Sequence, residues 1–381
     1  YLYLAFFSYG ICFNNHQSLL VIAMGVEVLI WLAEPKLGRE LFFWNTLLYF
    51  AGAALASDMM GSPGVKFVFH VIGISSAIMW VWLCVRTKKT KDEFLRDAAM
   101  IGALAFIGLY FANITNYTAG LAELAKQKRG LRLFLDAATS PKFTLVAAVA
   151  LSALLVTLIR KTRRLSREWA VALGCGFSWL AGAAFYLYMP IAGATNPPMQ
   201  WGYPRTLEGF IHAVTRGQYE KIRPTWGENL FQFIERYSMQ LWRFLEGLNE
   251  EFNLIFLLIA LVVFLYYRKM KRRERVWIMG MVALFICLGP FLVYLLNFSS
   301  DRQSLELNRV FLTSSHLFVA MSAGFGLTLI AASLVVHFNS LRNVALMGGV
   351  CVADLALFIL AVNSQPEFDA ELAAKFGFIK I

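Results

Sequence analysis

The residue types best suited to chemistry are concentrated in one segment, residues 186–222, which reads YLYMPIAGATNPPMQWGYPRTLEGFIHAVTRGQYEKI. Prolines such as Pro197 and Pro204 fix their own φ and favour an extended residue before them, so we expect a non-helical path through the middle of this segment. Thr206 then fits the N-cap of a helix, and Glu208 in the first turn suits the positive end of the helix dipole. The sequence therefore predicts a rigid turn followed by a helix.

The helix after this turn is expected to carry a cationic and aromatic surface. His212 and Arg216 are four residues apart and share one face, and Tyr219 follows three residues later near the same face. Such a surface suits a ligand with sugar rings and a phosphate, because aromatic faces stack on sugars and the guanidinium fork donates to phosphate oxygens. The alternative is that Trp201, Tyr203 and Tyr219 only anchor a helix at the membrane interface.

Two further polar segments interrupt the apolar sequence. Residues 14–17 are Asn-Asn-His-Gln, which is either a simple polar turn or, through Asn15 and His16, part of a binding site. The segment 299–316 could bind a phosphate or an acceptor, or it could be a solvated loop. Its charged cluster consists of Asp301, Arg302, Glu306 and Arg309.

The elements that must position these residues are membrane spans. Of the 381 residues, 59% are hydrophobic and only 15% are charged, and the mean hydropathy is +0.59. The apolar residues form runs of about 17–25, the length at which a helix crosses the hydrocarbon core. We therefore predict an all-α, polytopic integral membrane protein of about 10–11 transmembrane helices. The predicted spans are 1–13, 17–34, 41–58, 64–86, 98–115, 143–160, 168–189, 252–268, 276–297, 312–336 and 342–362.

Three densely basic loops orient these spans: 86–96, 160–167 and 268–275. The positive-inside rule places all three in the cytoplasm, and two spans separate each consecutive pair, so the assignment is self-consistent. The chain then divides into membrane helices over 1–189, with an outer interfacial helix in 116–142, and an outer loop over 190–251 with amphipathic helices. Membrane helices over 252–362 and an outer tail over 363–381 complete the predicted organisation.

Several other classes of chemistry find no support in the sequence. The net charge of +11 resides in short basic clusters between apolar runs, which indicates topology signals and not binding to nucleic acid. The five cysteines fall inside predicted helices without metal-type spacing and are expected to be packing residues. Motifs for ATP hydrolysis, zinc proteolysis or thioredoxin chemistry are missing from the sequence. No cofactor is evident, and a divalent metal stays open.

The segment 186–219 resembles a motif of a large bacterial family of polytopic membrane proteins. This family, long regarded as one of unknown function, also includes the vertebrate transmembrane protein 260, a protein O-mannosyltransferase. Its members typically show a YLYLP-like span end, then N-P-P-x-N-W-G-x-P, then a helix with G-F…H-x-x-R-x-Q-Y. Here those pieces are residues 186–190, 196–204 and 209–219, and Gln200 stands where Asn is usual. The turn at 14–17 and the sequence Arg-Val-Phe at 309–311 are also similar to the family.

The resemblance implies a GT-C type glycosyltransferase of the bacterial inner membrane. Such an enzyme transfers a sugar from a polyprenyl-phosphate donor to a hydroxyl of a protein or glycolipid on the non-cytoplasmic face. In this family the acidic catalytic residue sits in a first outer loop whose sequence does not occur here. We therefore expect the catalytic residue to lie upstream of Tyr1, and the N-terminal part to be missing.

The family motif also implies a set of substrate-binding residues. Under this hypothesis Arg205, His212 and Arg216 bind the leaving phosphate of the donor, while Trp201 and Tyr219 shape the sugar site. The full set is Asn196, Trp201, Arg205, His212, Arg216, Gln218 and Tyr219, together with Asn15 and His16 of the polar turn.

Two other classes are left open: a non-catalytic scaffold, which would need only the spans, and a transporter or flippase for a lipid-linked or small polar substrate. The transporter would use the isolated polar residues inside the spans, Glu27, His70 and Asp354, as a pathway across the membrane. Each of them is also consistent with a structural contact between helices. Because transporters concentrate polar residues at the bilayer midplane and this chain concentrates them outside the spans, the sequence favours the glycosyltransferase.

Overall fold

The computed structural model of the chain describes residues 1–55, 63–114, 138–162, 167–199, 203–215, 223–227, 229–299 and 301–363. These residues are predominantly helical and contain no β-strand. The α-helices are α1 (Leu2–Asn15), α2 (Ile22–Ala33), α3 (Pro35–Leu55), α4 (Pro63–Arg86), α5 (Lys91–Ile114), α6 (Pro141–Thr162), α7 (Arg167–Ala183), α8 (Tyr188–Ala194), α9 (Leu207–Val214), α10 (Leu230–Tyr266), α11 (Arg272–Ile286), α12 (Leu292–Leu296), α13 (Arg302–Val336) and α14 (Phe338–Asn363). Short 3-10 helices at Gln17–Val21, Ala184–Leu187 and Tyr267–Lys269, and a π-helical turn at Cys287–Phe291, join consecutive helices.

Eight helical segments of the described residues are long and apolar enough to cross a membrane. They are Pro63–Arg86, Lys91–Ile114, Pro141–Thr162, Glu168–Ala194, Leu230–Lys269, Arg272–Leu296, Glu306–Val336 and Arg342–Ile359. The chain is therefore an all-α, multi-pass integral membrane protein, as the sequence predicts. The first three predicted spans are helical too, but α1 has only 14 residues and Ser18–Ala33 is a shorter apolar helix. Helix α3 begins six residues before the predicted span 41–58 and includes charged residues there.

The helices form two compact units. Unit 1 comprises Tyr1–Asn253 and Lys269–Val319, and unit 2 comprises Leu254–Arg268 and Ala320–Ile381. The boundary within α10 coincides with a kink at Asn253, whose φ of 48° and ψ of 166° are not helical. Within unit 2, α10 and α13 approach so closely that a Cβ added at Gly326 would lie 2.1 Å from the carbonyl oxygen of Ile259.

Helix α3 lies at the centre of the core of unit 1, packed against α2, α4, α5 and α7. Phe43 is fully buried there and stacks on Trp169 of α7, with ring centroids 5.1 Å apart and planes 16° apart. Trp80 of α4 stacks in the same way on Phe94 of α5, at 5.2 Å. These flat aromatic contacts fill the space between neighbouring helices, so the helix ends that carry the polar residues are held by a rigid bundle.

Helices α1 and α7 are in backbone contact. A Cβ added at Gly182 would lie 2.2 Å from the carbonyl oxygen of Phe7, and one added at Gly10 would lie 2.2 Å from that of Trp179. Small residues at a crossing allow two membrane helices to approach this closely. The contact fixes the end of α1 beside the end of α7, and with it the start of the segment 186–199.

A buried ion network of Arg39, Glu40, Lys89, Arg96 and Asp97 joins α3 to α5. Oε1 of Glu40 accepts hydrogen bonds from Nε of Arg39 at 2.7 Å and from Nζ of Lys89 at 3.2 Å. Lys89 also bonds Asp97, whose Oδ1 accepts from Nε and Nη2 of Arg96 at 3.0 and 2.9 Å. All of these side chains are buried. Part of the basic loop at 86–96, which the sequence predicts to be cytoplasmic, therefore belongs to an internal ion network.

The first half of α10 has two apolar faces. The sequence predicts an amphipathic helix with Phe231, Ile234, Met239, Leu241, Trp242 and Leu245 mostly on one side. In the structure most of these side chains are exposed, with Phe231 at 77% and Trp242 at 62%. The face that packs against the protein instead contains Gln240, Phe244 and Leu248, all nearly fully buried. The stripe of apolar side chains that the sequence predicts thus points away from the core of unit 1. This is the direction in which an interfacial helix contacts lipid.

Candidate functional site

The turn predicted around residues 196–206 is present in the described part of the segment. Nη1 of Arg205 donates a hydrogen bond to Oδ1 of Asn196 at 2.6 Å, so the two ends of the turn are joined directly. The Arg205 guanidinium also lies over the ring of Tyr203, 5.8 Å from its centroid. Asn196 and Tyr203 both have a positive φ, 51° and 48°. Arg205 is exposed, which leaves its guanidinium accessible to an anion.

The helix predicted after the turn is present as α9. Thr206 is its N-cap, as expected, and accepts a hydrogen bond from the backbone N–H of Gly209 at 3.0 Å. Helix α9 then ends at Val214, where the hydroxyl of Thr215 donates to the carbonyl of Ile211. His212 is exposed on this helix. Four of the predicted binding residues lie outside the described residues, so their placement stays a prediction: Trp201, Arg216, Gln218 and Tyr219.

The polar turn at 14–17 connects two parts of unit 1. The side-chain amide of Asn14 donates to the carbonyl of Gly182 at 2.9 Å, and the hydroxyl of Tyr186 donates to the carbonyl of Phe13 at 3.2 Å. On the other side, the His16 ring meets the ring of Phe311 in α13 edge to face, with centroids 5.0 Å apart. Asn15 is exposed. The turn therefore places the YLYMP segment and the start of α13 at the same end of unit 1.

A cleft of about 270 Å³ opens beside α13, between its first turns and the first half of α10. We call it the α10–α13 cleft. Its apolar wall includes Phe244, Phe298 and Leu312. Six ionisable side chains line the rest: Arg243, Glu246, Glu250, Glu306, Arg309 and His316.

Two of these side chains, Arg309 and His316, contact Glu251, which lies behind the cleft wall. Oε1 of Glu251 accepts from Nε and Nη2 of Arg309 at 3.1 and 2.9 Å. Nη1 of Arg309 lies 3.8 Å from Oε2 of Glu250. Oε2 of Glu251 lies 3.4 Å from Nδ1 of His316, which is within ion-pair range but does not form a hydrogen bond. One carboxylate therefore holds a guanidinium with one oxygen and faces an imidazole with the other.

Buried polar contacts hold α10 in place against this cleft. The side-chain amide of Gln240 donates to Oδ1 of Asn297 at 3.1 Å and to the carbonyl of Phe298 at 2.9 Å. Its amide oxygen accepts from the hydroxyl of Thr225 at 2.7 Å, and the backbone N–H of Thr225 donates to the carbonyl of Tyr294 at 2.9 Å. These bonds set the distance between α10 and the chain that leads into α13.

The structure divides the predicted charged cluster at 299–316 between two roles. The predicted loop is mostly helix, because α13 begins at Arg302. Asp301 caps it: Oδ2 accepts from the backbone N–H of Ser304 at 2.9 Å, and the Ser299 hydroxyl bonds the same carboxylate. The hydroxyl of Ser299, and then the N–H of Ser304, hold the pKa of Asp301 below its ordinary value. Glu306 and Arg309 point into the cleft instead, and the side chain of Arg302 is outside the described residues.

Sequence reasoning missed Glu250, Glu251 and His316. A signal for His316 existed, since Arg309, Leu312 and His316 have the i, i+3, i+7 spacing of one helix face. The prediction of a loop before residue 312 hides this shared face.

The polar residues inside the spans of unit 1 make separate contacts between helices. The Asn45 amide donates to Oε2 of Glu27 at 2.7 Å, and the Tyr49 hydroxyl lies 3.1 Å from Nδ1 of His70. Asp354 is exposed on α14 in unit 2. Among the described residues, no group of three or more His, Cys, Asp or Glu side chains is arranged to hold a metal ion. All five cysteines are free.

Comparisons of the chain with protein-family models, with curated proteins and with solved structures find no match. The class of protein that fold and composition define is an all-α, multi-pass membrane protein with an ionisable cleft at one end of a helix bundle.

Proposed function

We propose that this protein is a membrane glycosyltransferase. It transfers a sugar from a polyprenyl-phosphate donor to a hydroxyl of a protein or glycolipid. The observation that carries the proposal is the α10–α13 cleft, in which carboxylates, two arginines and a histidine meet at one end of unit 1. The turn at 14–17 contacts both α13 and the YLYMP segment, so the cleft and the arginine-bearing turn share that end.

The chemistry of the cleft supports a sugar substrate. Carboxylates and an arginine offer acceptors and donors for neighbouring sugar hydroxyls, and Phe244 and Phe298 offer apolar surface for the face of a sugar ring. The departing lipid phosphate gains negative charge in the transition state, and a positioned cation stabilises it. Arg205 is the exposed cation of the turn suited to this role.

The predicted topology supports transfer on the non-cytoplasmic face of the membrane. With the three basic loops in the cytoplasm, the turn and the cleft lie on the non-cytoplasmic face. A sugar carried by a polyprenyl phosphate is used on that face, because the lipid brings it across a membrane that free nucleotide sugars do not cross.

Transfer in proteoliposomes tests this proposal. The full-length protein is reconstituted with mannosyl- or glucosyl-phosphopolyprenol, each labelled in the sugar, and with Ser- and Thr-containing peptides or glycolipids as acceptors. We expect transfer of label, and a rise in the donor KM of about tenfold for Arg205→Ala, the loss of one charge-assisted contact. Arg86→Ala is the matched control, because Arg86 is an exposed arginine stacked over Trp82 at the C-terminal end of α4 and belongs to neither the turn nor the cleft. Absence of transfer to every acceptor contradicts the proposal.

One observation favours transport as the second candidate. Asn45 and Tyr49 are four residues apart on one face of α3, and each contacts a titratable side chain of a neighbouring helix, Glu27 or His70. A proton-coupled transporter uses such residues. Proteoliposomes under a pH gradient would then acidify internally, and Glu27→Gln would abolish the acidification.

A further inference from the structure

His316 lies where a proton acceptor is needed. Its side chain lines the α10–α13 cleft but is only 8% exposed, so its ring is held in place by the surrounding protein. The ring of Phe252 packs against it edge to face, with centroids 5.8 Å apart. A fixed imidazole at the wall of a cleft differs from the mobile, solvated histidine of an ordinary surface.

Glu251 determines which edge of the ring faces the cleft. Nδ1 is buried and lies 3.4 Å from Oε2 of Glu251, so the opposite edge, with Nε2, is left for the cleft. A carboxylate next to Nδ1 favours the tautomer with its proton there, which leaves a lone pair on Nε2. Arg309 holds the other carboxylate oxygen with two hydrogen bonds, so Glu251 itself is fixed. In unliganded sites such contacts are often longer than in the reacting complex.

We infer that His316 is the general base of this cleft and accepts the proton of the attacking acceptor hydroxyl, with Glu251 as the positioning residue. The inference rests on the proposed glycosyl transfer. It assigns the base to an imidazole of α13, whereas the family resemblance implies a carboxylate.

The step balances without a further reactant. The acceptor oxygen forms a bond to the anomeric carbon of the donor sugar, and its proton moves to Nε2 of His316. The bond between the anomeric carbon and the phosphate oxygen breaks, and its electron pair leaves with the polyprenyl phosphate. The resulting imidazolium is stabilised by Glu251, as the carboxylate of a catalytic triad stabilises its histidine.

The other ionisable groups of the cleft are less suited to this role. Glu250 is largely exposed and lies 3.8 Å from Arg309, and Glu246 bonds Arg243 at 2.8 Å. Glu306 is exposed at the rim. A base is most effective when its pKa is near the working pH, which favours an imidazole over a carboxylate.

The pH dependence of transfer distinguishes the roles. The charged groups that face His316 are Glu251 and, beyond it, Arg309 and Glu250. The base must be neutral to accept a proton, so kcat is expected to rise with pH across the range of about 5–8 in which histidines titrate. Removing the negative charge of Glu251 disfavours the imidazolium, so the rising limb should move to lower pH in Glu251→Gln and return towards that of the wild type in Glu251→Asp.

The experiment measures transfer from mannosyl- and glucosyl-phosphopolyprenol by the full-length protein in proteoliposomes. For His316→Gln we expect a loss in kcat of about 100-fold or more, with little change in the donor KM and no rising limb between about pH 5 and 8. His337→Gln, which alters an exposed histidine directly after the last residue of α13, should behave like the wild type. The thermal unfolding midpoint of each variant checks folding.

Each result has one meaning. Activity of a folded His316→Gln variant within a few-fold of the wild type overturns the inference while the proposed function stands. If His316→Gln does not fold, the pH profile of Glu251→Gln decides, and an unshifted rising limb overturns the inference. A wild-type protein that transfers no sugar refutes the proposed function itself, and the inference with it.

Discussion

Replacing Glu40 by Gln changes the charge of the buried ion network and almost nothing of its shape. The side chain of Glu40 is fully buried, and those of its partners Arg39 and Lys89 are 8% and 2% exposed. Glu40→Gln leaves these two cations inside the protein with one carboxylate fewer. The perturbation therefore isolates the electrostatic part of the contact between α3 and α5.

The expected cost follows from this burial. Oε1 of Glu40 accepts hydrogen bonds from Nε of Arg39 at 2.7 Å and from Nζ of Lys89 at 3.2 Å, and it lies 2.6 Å from Nη2 of Arg39. Removing one partner of a buried ion pair costs about 3–5 kcal/mol, because it leaves an uncompensated charge away from water. An exposed pair contributes about 0–1 kcal/mol. The chain contains such a pair in Lys161 and Asp92, 2.9 Å apart with side chains 66% and 44% exposed.

The assay is unfolding of the detergent-solubilised protein by increasing SDS, followed by circular dichroism, with Asp92→Asn as the matched control. We expect Glu40→Gln to lower the free energy of unfolding by about 3–5 kcal/mol and Asp92→Asn by less than about 1 kcal/mol. Equal effects of the two variants would refute the reasoning, since they would show that burial does not set the strength of these pairs.

Three further outcomes are expected from the same bundle. Gly182→Val should lower the free energy of unfolding in SDS titration by about 1–3 kcal/mol, because its Cβ would meet the carbonyl oxygen of Phe7. An unchanged free energy of unfolding would mean that α1 moves freely. Gln240→Leu should lower the free energy of unfolding by a similar ~1–3 kcal/mol, because the buried hydroxyl of Thr225 and the carbonyl of Phe298 lose their hydrogen bonds to Gln240. It should also lower the affinity of the cleft for the sugar donor. Asp301→Ala should speed hydrogen exchange in the first turn of α13 at pH 7. The folded pKa of Asp301 lies below its ordinary value, so the stabilisation by its carboxylate is complete above about pH 4 and is lost as the pH falls through the folded pKa. At sufficiently low pH the variant and the wild type should therefore exchange at the same rate. A difference in exchange rate that persists there argues against the cap.

Hydrophobic run length predicts most of this fold, because spanning a bilayer leaves few alternatives for the backbone. The N-cap at Thr206 could also be predicted, since capping depends on residues only three apart. Run length is less informative for α3, whose charged start at Arg39 and Glu40 looks like a loop until the partner Lys89, just before α5, is known.

The candidate site was harder to predict, because its members come from distant parts of the chain. Glu251 and Arg309 are 58 residues apart, and neither is unusual in its own sequence context. The stripe on α10 illustrates a related difficulty. Periodicity reveals that a helix has an apolar face, but it does not say whether protein or lipid covers that face, and here Phe244 faces the protein while Phe231 faces away from it.

The buried ion network has a consequence for the order of events during biogenesis. In the predicted topology, Lys89 and Arg96 belong to a cytoplasmic basic loop, whose charge would retain this segment on the cytoplasmic side while the chain inserts and before α3 and α5 have met. Only after the helices pack do Glu40 and Asp97 neutralise these same cations. The charges of Lys89 and Arg96 would thus act first as a topology signal and then as part of an internal contact. Charge reversal at Lys89 should disturb both stages, whereas Glu40→Gln should disturb only the later one.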